Sequence, residues 1–392
     1  MIKTVLSCPT LRPTFMLVLV LALAGCGTRL DFFSKKSSAI NQEQAAQIAQ
    51  LKTVAGARQL WQNSVGGSET VAFSPAVEKA AVYAADASGR LARFDPATGR
   101  QTWSVDTQHK LSGGVGSGYG LVLVGTIKGE VLAFDEAGKA LWKAQVSSEV
   151  LSPPQADDGV VVVRSGDGRI FGLEATSGKR KWVYQGPTPV LTVRSFAGVL
   201  ISRGAVFAGF AGGKLAAISL ANGNVGWEAT VAQPRGATEL ERITDITSLP
   251  VLDNKQVCAV AYQGRVACFD IANGRQIWAQ DASSNAGLAM DSDYVYVSED
   301  RGAVAAYDKK NGASIWKQEK LGGIKLSAPL VQGERVVVGD AQGNISFLKH
   351  GDGAVVARSS TDGGAILTRP ESLPNGFVVQ TVKGGLYAFG NQ

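Results

Sequence analysis

The sequence predicts an all-β fold, an eight-bladed β-propeller with four antiparallel strands in each blade. Three observations support this prediction. Related segments recur along most of the chain, each segment alternates short apolar strands with glycine-rich turns, and tryptophan returns at one place in the segments. A repeat length of about 40 residues with several short strands per unit is typical of propellers.

Each repeat begins with a glycine that opens an alternating strand, followed by a second turn and a final strand. The first glycines of successive units are 40, 39, 45, 51, 38, 41 and 41 residues apart. Glycine accounts for 47 of the 392 residues, a share well above the usual ~7% and one that many tight turns require. The repeats start at Gly89, Gly129, Gly168, Gly213, Gly264, Gly302, Gly343 and Gly384.

Tryptophan marks the final strand of the units. Six of the seven tryptophans lie four residues after the second glycine of a repeat, and Trp61 lies ahead of the first repeat in "RQLWQNSV". An indole at this place would pack into the seam between two blades, where a buried aromatic ring covers about 150–250 Å². The seventh repeat has Ala357 there, so we expect a weaker seam. The predicted seam residues are Trp61, Trp103, Trp142, Trp182, Trp227, Trp278 and Trp316.

The two ends of the repeat region should complete the eighth blade together. The last unit stops at "GGLYAFGNQ" without a tryptophan strand, whereas the segment around Trp61 is such a strand without the rest of a unit. Joining the two would remove the open sheet edges of an incomplete ring. We therefore predict residues 59–65 as the outer strand of the last blade, in a propeller that spans residues 57–392.

The N-terminal segment indicates export and lipidation. Residues 1–25 combine a basic start with a short apolar run, which suits a signal peptide and is too short to span a bilayer. "LALAGC" resembles a bacterial lipobox, which makes Cys26 the expected lipidated residue, and an ordinary secretory signal with a chance cysteine is the alternative. Residues 26–56 are polar and predict a flexible tether that reaches roughly 30 Å.

Composition and motifs argue against several functions. The net charge is only +6 and the basic residues are scattered, so we expect no nucleic-acid partner. Two histidines and no clustered ligand spacing predict no metal site. Nucleophile-elbow, zinc-protease and phosphate-loop motifs are absent from the sequence, so we expect neither catalysis nor a cofactor. Cys258 and Cys268 fall on adjacent predicted strands, either bridged or as two buried thiols.

A resemblance to a family of enzymes raises an enzymatic alternative. An eight-bladed propeller with one tryptophan per blade also resembles the quinoprotein alcohol dehydrogenases, which bind PQQ against a disulfide of adjacent cysteines above a calcium site. Those enzymes are much longer than this chain. The sequence has no Cys-Cys pair and no calcium-loop spacing, which disfavours a PQQ-dependent dehydrogenase.

Two long repeat intervals indicate where a partner would bind. The extra residues fall in 185–202 and 231–252, and insertions in a repeat protein commonly mark its binding face. The second segment mixes charged side chains with aliphatic ones, as protein interfaces do, although a plain solvated loop would also be polar. Its charged residues are Arg235, Glu239, Glu241, Arg242 and Asp245.

Lipobox, tether, repeats and long loops together resemble the BamB family, the propeller lipoproteins of the machinery that folds β-barrels into the bacterial outer membrane. "GATELERITDI" (236–246) and "VLTVRSFAG" (190–198) are similar to two loop segments of that family. The resemblance implies a scaffold that is anchored at the periplasmic face of the outer membrane and binds the periplasmic POTRA domains of BamA. The rival possibility is that the propeller binds unfolded barrel precursors directly, by pairing with nascent strands.

The resemblance also implies contact residues. Arg194 could pair with a carboxylate of the partner or hold Asp245 inside the molecule. The family has an acidic residue at the position of Thr247, so this chain departs from the pattern there. The implied partner-binding residues are Leu191, Val193, Arg194, Glu239, Arg242, Asp245 and Thr247.

Overall fold

A computed structural model describes residues 57–390 except 69, 70, 79, 187, 188, 190, 194, 195, 322 and 323. The predicted signal peptide, Cys26, the tether and Arg194 therefore lie outside the described residues. In the described part of the chain, the strands form eight four-stranded antiparallel sheets. The predicted eight-bladed propeller is confirmed.

The blades follow one another along the chain, each running from an inner to an outer strand. The first two contain β2 (Ala76–Glu78), β3 (Ala81–Ala85), β4 (Arg90–Phe94), β5 (Gln101–Asp106), β6 (Leu111–Gly118), β7 (Leu121–Thr126), β8 (Glu130–Asp135) and β9 (Ala140–Gln145). Blades 3 and 4 contain β10 (Gln155–Asp157), β11 (Val160–Arg164), β12 (Arg169–Glu174), β13 (Arg180–Gln185), β14 (Leu200–Ser202), β15 (Ala205–Phe210), β16 (Lys214–Ser219) and β17 (Val225–Thr230), with a 3₁₀ turn at Ala211–Gly213.

The second half repeats the arrangement. Blades 5 and 6 contain β18 (Val251–Leu252), β19 (Gln256–Val260), β20 (Gly264–Asp270), β21 (Gln276–Ala282), β22 (Gly287–Met290), β23 (Tyr294–Ser298), β24 (Val304–Asp308) and β25 (Ser314–Gln318). Blades 7 and 8 contain β26 (Leu330–Gln332), β27 (Arg335–Gly339), β28 (Asn344–Lys349), β29 (Val355–Ser360), β30 (Glu371–Leu373), β31 (Gly376–Gln380), β32 (Gly385–Gly390) and β1 (Gln59–Ser64). Among the described residues, no helix is long and apolar enough to cross a membrane.

The hydrophobic core lies between blades rather than inside any one of them. Every residue of β3 and of β7 is buried, because a central strand is covered by a neighbouring blade on each face. Phe207 and Leu215 of blade 4, for example, pack with Val257 and Phe269 of blade 5. The outer strands are mostly exposed, as in β9. Each blade thus depends on its neighbours, and the ring must close to bury them all.

The chain ends close the ring as the sequence predicts. β1 pairs antiparallel with β32, with Trp61 opposite Ala388 and Ser64 opposite Gly385. The strand ends one residue before the predicted Val65, whose amide still donates a hydrogen bond to the carbonyl of Gly384 at 3.0 Å. The last blade therefore combines three C-terminal strands with one N-terminal strand.

Each tryptophan packs against a turn of the next blade. The ring of Trp278 lies so close to Gly312 that a Cβ there would be 2.6 Å from it, and Gly312 has a φ of +76°, which glycine adopts without strain. The indole Nε1 of Trp278 donates to the carbonyl of Lys309 in the same turn at 2.9 Å. The other indoles contact their glycines in the pairs Trp61–Gly99, Trp103–Gly138, Trp142–Gly178, Trp182–Gly223, Trp227–Gly274 and Trp316–Gly353.

Different side chains pack in the seam between blades 7 and 8, because of the way the last blade is closed. Ala357 is buried on blade 7, but blade 8 has no turn after β32, because its outer strand comes from the other end of the chain. An indole at 357 would have no glycine turn to pack against. Phe377 fills the seam instead, with its ring centroid 5.8 Å from Phe347 and 5.6 Å from Phe389. That this seam is weaker than the others stays a prediction.

The cysteine pair of blade 5 forms a disulfide. Cys258 on β19 lies directly opposite Cys268 on β20, and the two are bonded in the buried core of the blade. The structure thereby selects one of the two alternatives that the sequence left open.

Candidate interaction face

One end of the propeller carries both long insertions. Strands alternate in direction, so the connections between blades and the turns between the second and third strands of each blade emerge at the same end. The insertions are the connection from β13 to β14 and the connection from β17 to β18. We call this end the loop face. The start of β1, at Gln59, lies at the opposite end, because outer strands run toward the loop face.

Asp245 joins the two insertions to each other and to blade 4. Its side chain is 2% exposed. One carboxylate oxygen accepts a hydrogen bond from the amide of Val193 at 2.7 Å, and the other accepts one from the amide of Gly212 at 3.0 Å. Hydrogen bonds to a charged group are stronger than neutral ones. Asp245 belongs to the connection from β17 to β18. Through these hydrogen bonds it holds the connection from β13 to β14 in place.

Arg164 lies beside Asp245 at the end of β11. Its Nη1 donates to the carbonyl of Gly209 at 2.6 Å, and the guanidinium carbon is 5.3 Å from the centroid of the Phe210 ring. Burial lowers the pKa of Arg164 to about 10, and the charge of Asp245 opposes this shift. Arg164 is thus charged at neutral pH. It was not among the residues expected from the sequence, although an arginine that ends the all-valine run of β11 was a visible signal.

A cavity of about 140 Å³ opens between these loops. Leu151, Phe210 and Ile246 supply apolar walls, and the ionisable side chains that line it are Arg164, Asp167 and Asp245. Burial alone would raise the pKa of Asp167, but hydrogen bonds from the Ser165 and Ser147 hydroxyls and the neighbouring Arg169 guanidinium hold it below its ordinary value. The cavity therefore presents an ionised carboxylate, an arginine and an apolar floor.

The outer parts of the insertions expose apolar side chains. Leu191, Phe196, Leu240 and Leu249 are all exposed, with Leu240 the most so at 68%. Exposed large apolar residues gathered on two insertions at one end suit a protein partner better than solvent.

The turn that carries Leu240 is held in place by its own side chains. Glu241 accepts hydrogen bonds from the amides of Ala237 and Thr238, which lowers its pKa, and Thr238 in turn accepts one from the Glu241 amide. This is the reciprocal arrangement of a capping box. The turn thus presents Leu240 in a defined position.

The expected contact residues divide into an exposed and a buried group. Leu191 is exposed, and Glu239 and Arg242 form an exposed ion pair at 3.6 Å. The remaining expected residues are placed differently. Val193 is half-buried with its amide bound to Asp245, and Thr247 is 8% exposed with its hydroxyl 3.4 Å from the carbonyl of Asn285.

Asp245 and Thr247 are both buried and hydrogen-bonded within the chain in the free protein. That they contact a partner stays a prediction. Asp245 holds the loop backbone through the amides of Val193 and Gly212, and its expected ion pair with Arg194 stays a prediction. Arg194 lies outside the described residues.

A second group of ionisable residues lies at the other end of the propeller. Asp291, Asp293 and His350 place potential ligand atoms within 4.8 Å of one another. The Asp291 carboxylate already contacts the His350 Nε2 at 2.9 Å and accepts a hydrogen bond from the Tyr296 hydroxyl at 2.8 Å. Internal hydrogen bonds account for this cluster.

Fold and loop face together define a class: an eight-bladed propeller whose two long insertions share one end. The family model described as "Outer membrane protein assembly factor BamB" matches residues 35–105 and 87–318. The chain belongs to the BamB family of outer membrane protein assembly factors.

Individual relatives agree with this assignment. The BamB of Nitrosomonas eutropha is 57% identical over 392 residues, covering 98% of this chain and 95% of that protein. The crystal structure of BamB from Moraxella catarrhalis superposes with a TM-score of 0.79 at 26% identity, covering 86% of this chain and all of that one. A quinohemoprotein alcohol dehydrogenase from Comamonas testosteroni gives a TM-score of 0.70 at 14% identity, covering 87% and 77%, a likeness of fold alone.

Proposed function

We propose that this chain is a non-catalytic scaffold of the outer-membrane assembly machinery, whose loop face binds the periplasmic POTRA domains of BamA. Lipid on Cys26 would anchor it at the periplasmic face of the outer membrane. The observation that carries the proposal is the construction of the loop face. Two insertions expose apolar side chains above a buried carboxylate that fixes their backbone.

Loops that are already ordered in the free protein bind a partner more tightly than flexible loops do. Ordering a loop on association costs about 0.5–1.5 kcal/mol for each immobilised side chain, so a face that is already ordered retains more affinity. The hydrogen bonds to Val193 and Gly212 supply this order within the free chain. Leu191 and Leu240, both exposed, then provide apolar surface that a partner can bury.

The position at which the propeller begins is compatible with this role. Residue 57 lies at the end of the propeller opposite the loop face, because β1 runs toward that face. An anchor that joins the body at the far end leaves the insertions accessible. A tether of about 30 residues would reach roughly 30 Å from the membrane surface.

The dehydrogenase alternative gains no support from the cysteines. Cys258 and Cys268 are ten residues apart and bonded across two strands inside blade 5, and both are fully buried. They form no adjacent-cysteine ring that a quinone could rest on.

Replacing Leu191 with glutamate tests the proposal. The side chain is 43% exposed, so Leu191→Glu should leave the fold intact but place a charge in the apolar centre of the interface. We expect at least a tenfold weaker affinity for purified BamA POTRA domains in a titration. Leu141→Glu is the matched control, because Leu141 is 47% exposed on the outer strand β9, away from the loop face. Equal affinities of the two variants would contradict the proposed face.

A further inference from the structure

We propose that the cavity of the loop face is a receptor for a carboxylate of the partner, an aspartate or glutamate side chain on a POTRA domain, which Arg164 binds. This inference rests on the proposed function and adds the chemistry of the group that the partner inserts. It concerns a residue that neither the repeats nor the resemblance singled out.

Arg164 is held from one side and open on the other. The hydrogen bond from Nη1 to the Gly209 carbonyl fixes one edge of the guanidinium, and Phe210 lies against its face. Within the described part of the chain, Nε and Nη2 have no hydrogen-bond partner. These two atoms form the side-on edge of the guanidinium, which matches the two oxygens of a carboxylate.

The neighbouring carboxylates do not occupy that edge. Both oxygens of Asp245 accept backbone hydrogen bonds, from Val193 and Gly212. Asp167 accepts from the Ser147 hydroxyl at 2.7 Å and from Arg169 Nη1 at 2.7 Å, which balances its charge locally. The arginine at the cavity thus has a fixed orientation and donors that the described protein groups leave unused.

The remaining walls suit the carbon stem of an acidic side chain. Leu151, Phe210 and Ile246 line the cavity beside the guanidinium. The cavity has a volume of about 140 Å³. One carboxylate with its methylene groups fits such a space, whereas a folded domain does not. Burial also lowers the pKa of Arg164, so an incoming anion would stabilise its charged form.

Arg164→Lys in the full-length protein tests the proposal. Lysine keeps the charge but cannot bind a carboxylate side-on through two nitrogens, so we expect an affinity for the POTRA domains about 10-fold weaker or more. Arg180→Lys is the matched control, since Arg180 is exposed on β13 of the same blade. We expect no change in its affinity.

A scan of the partner keeps the test independent of the stability of the variant. Each aspartate and glutamate of the POTRA domains is replaced in turn by its amide and titrated against the unaltered chain. We expect one replacement to weaken binding about tenfold and to have no further effect with Arg164→Lys, as coupled groups do in a double-mutant cycle.

The outcomes separate this inference from the proposed function. Normal affinity of the Arg164→Lys variant, or a scan in which no acidic residue couples to Arg164, would overturn the carboxylate receptor and leave the loop face standing. No binding of the POTRA domains by the unaltered chain would overturn the proposed function itself. Competition by a peptide with a free C-terminal carboxylate, without coupling to any partner side chain, would assign the cavity to a chain terminus and overturn the proposed occupant.

Discussion

Removing residues 57–65 is expected to abolish the folded propeller. This segment contains all of β1, the outer strand of blade 8. Its loss exposes the edge of β32 and removes Trp61, which is 6% exposed and donates a hydrogen bond to the carbonyl of Pro96 in blade 1 at 2.8 Å. The burial of one such indole contributes about 4–6 kcal/mol before opposing terms. The total stability of a protein is only about 5–15 kcal/mol.

The truncation is measured by soluble yield, circular dichroism and urea unfolding. The single variant Trp61→Ala should be less stable than the intact chain and more stable than the truncated one, with a loss of about 3–5 kcal/mol in the free energy of unfolding. Gln62→Ala on the same strand is the control, because its side chain is exposed and such changes cost less than about 0.5 kcal/mol. A truncated chain that stays soluble and melts like the intact one would contradict closure by the N-terminal strand.

Replacing Asp245 with alanine is expected to remove partner binding while the propeller stays folded. The change leaves the amides of Val193 and Gly212 without their acceptor and releases the insertion that carries Leu191. The lost bonds to a charged group should destabilise the loop by about 2–3 kcal/mol. Because the exposed apolar side chains then lose their fixed positions, the affinity for the POTRA domains should fall about 100-fold.

The control for this prediction is a second aspartate that also caps backbone amides. Asp95 accepts hydrogen bonds from Ala97 and Thr98 in a turn of blade 1, at the end of the propeller away from the loop face. Asp95→Ala should leave binding unchanged. Protease sensitivity of the loops, measured beside the titration, distinguishes loosening from loss of a direct contact. Full affinity of the Asp245→Ala variant would show that loop order contributes nothing to binding.

The fold was predictable because its periodicity is local. Each blade needs four short strands and, except in blade 8, a glycine in its last turn, against which the indole of the preceding blade packs. The spacing from this glycine to the blade's own tryptophan, as from Gly312 to Trp316, therefore recurs in other blades. Closure followed from an unfinished unit at one end and an isolated Trp61 at the other. The replacement of an indole by Phe377 in the seventh seam was not predictable, because it depends on which turn the closing blade lacks.

The site was only partly predictable, because burial is a property of the assembled loops. Sequence located the two insertions and the exposed Leu191. The resemblance placed Asp245 among the contact residues, and nothing in the local sequence shows that its oxygens bind amides 33 and 52 residues away. Arg164 was missed for the same reason. Its partners Gly209 and Phe210 belong to the next blade, so no local motif connects them.

Hydrogen exchange of the unaltered chain, with and without BamA POTRA domains, tests the central claim most directly. We expect slower exchange in residues 191–193, 196–199 and 236–249 of the loop face when the domains are bound. We expect no change in the outer strand β9, Ala140–Gln145, whose free backbone edge is where an extended chain would pair if the propeller bound nascent strands. Protection confined to the outer strands, with both insertions unaffected, would contradict the loop face as the binding site.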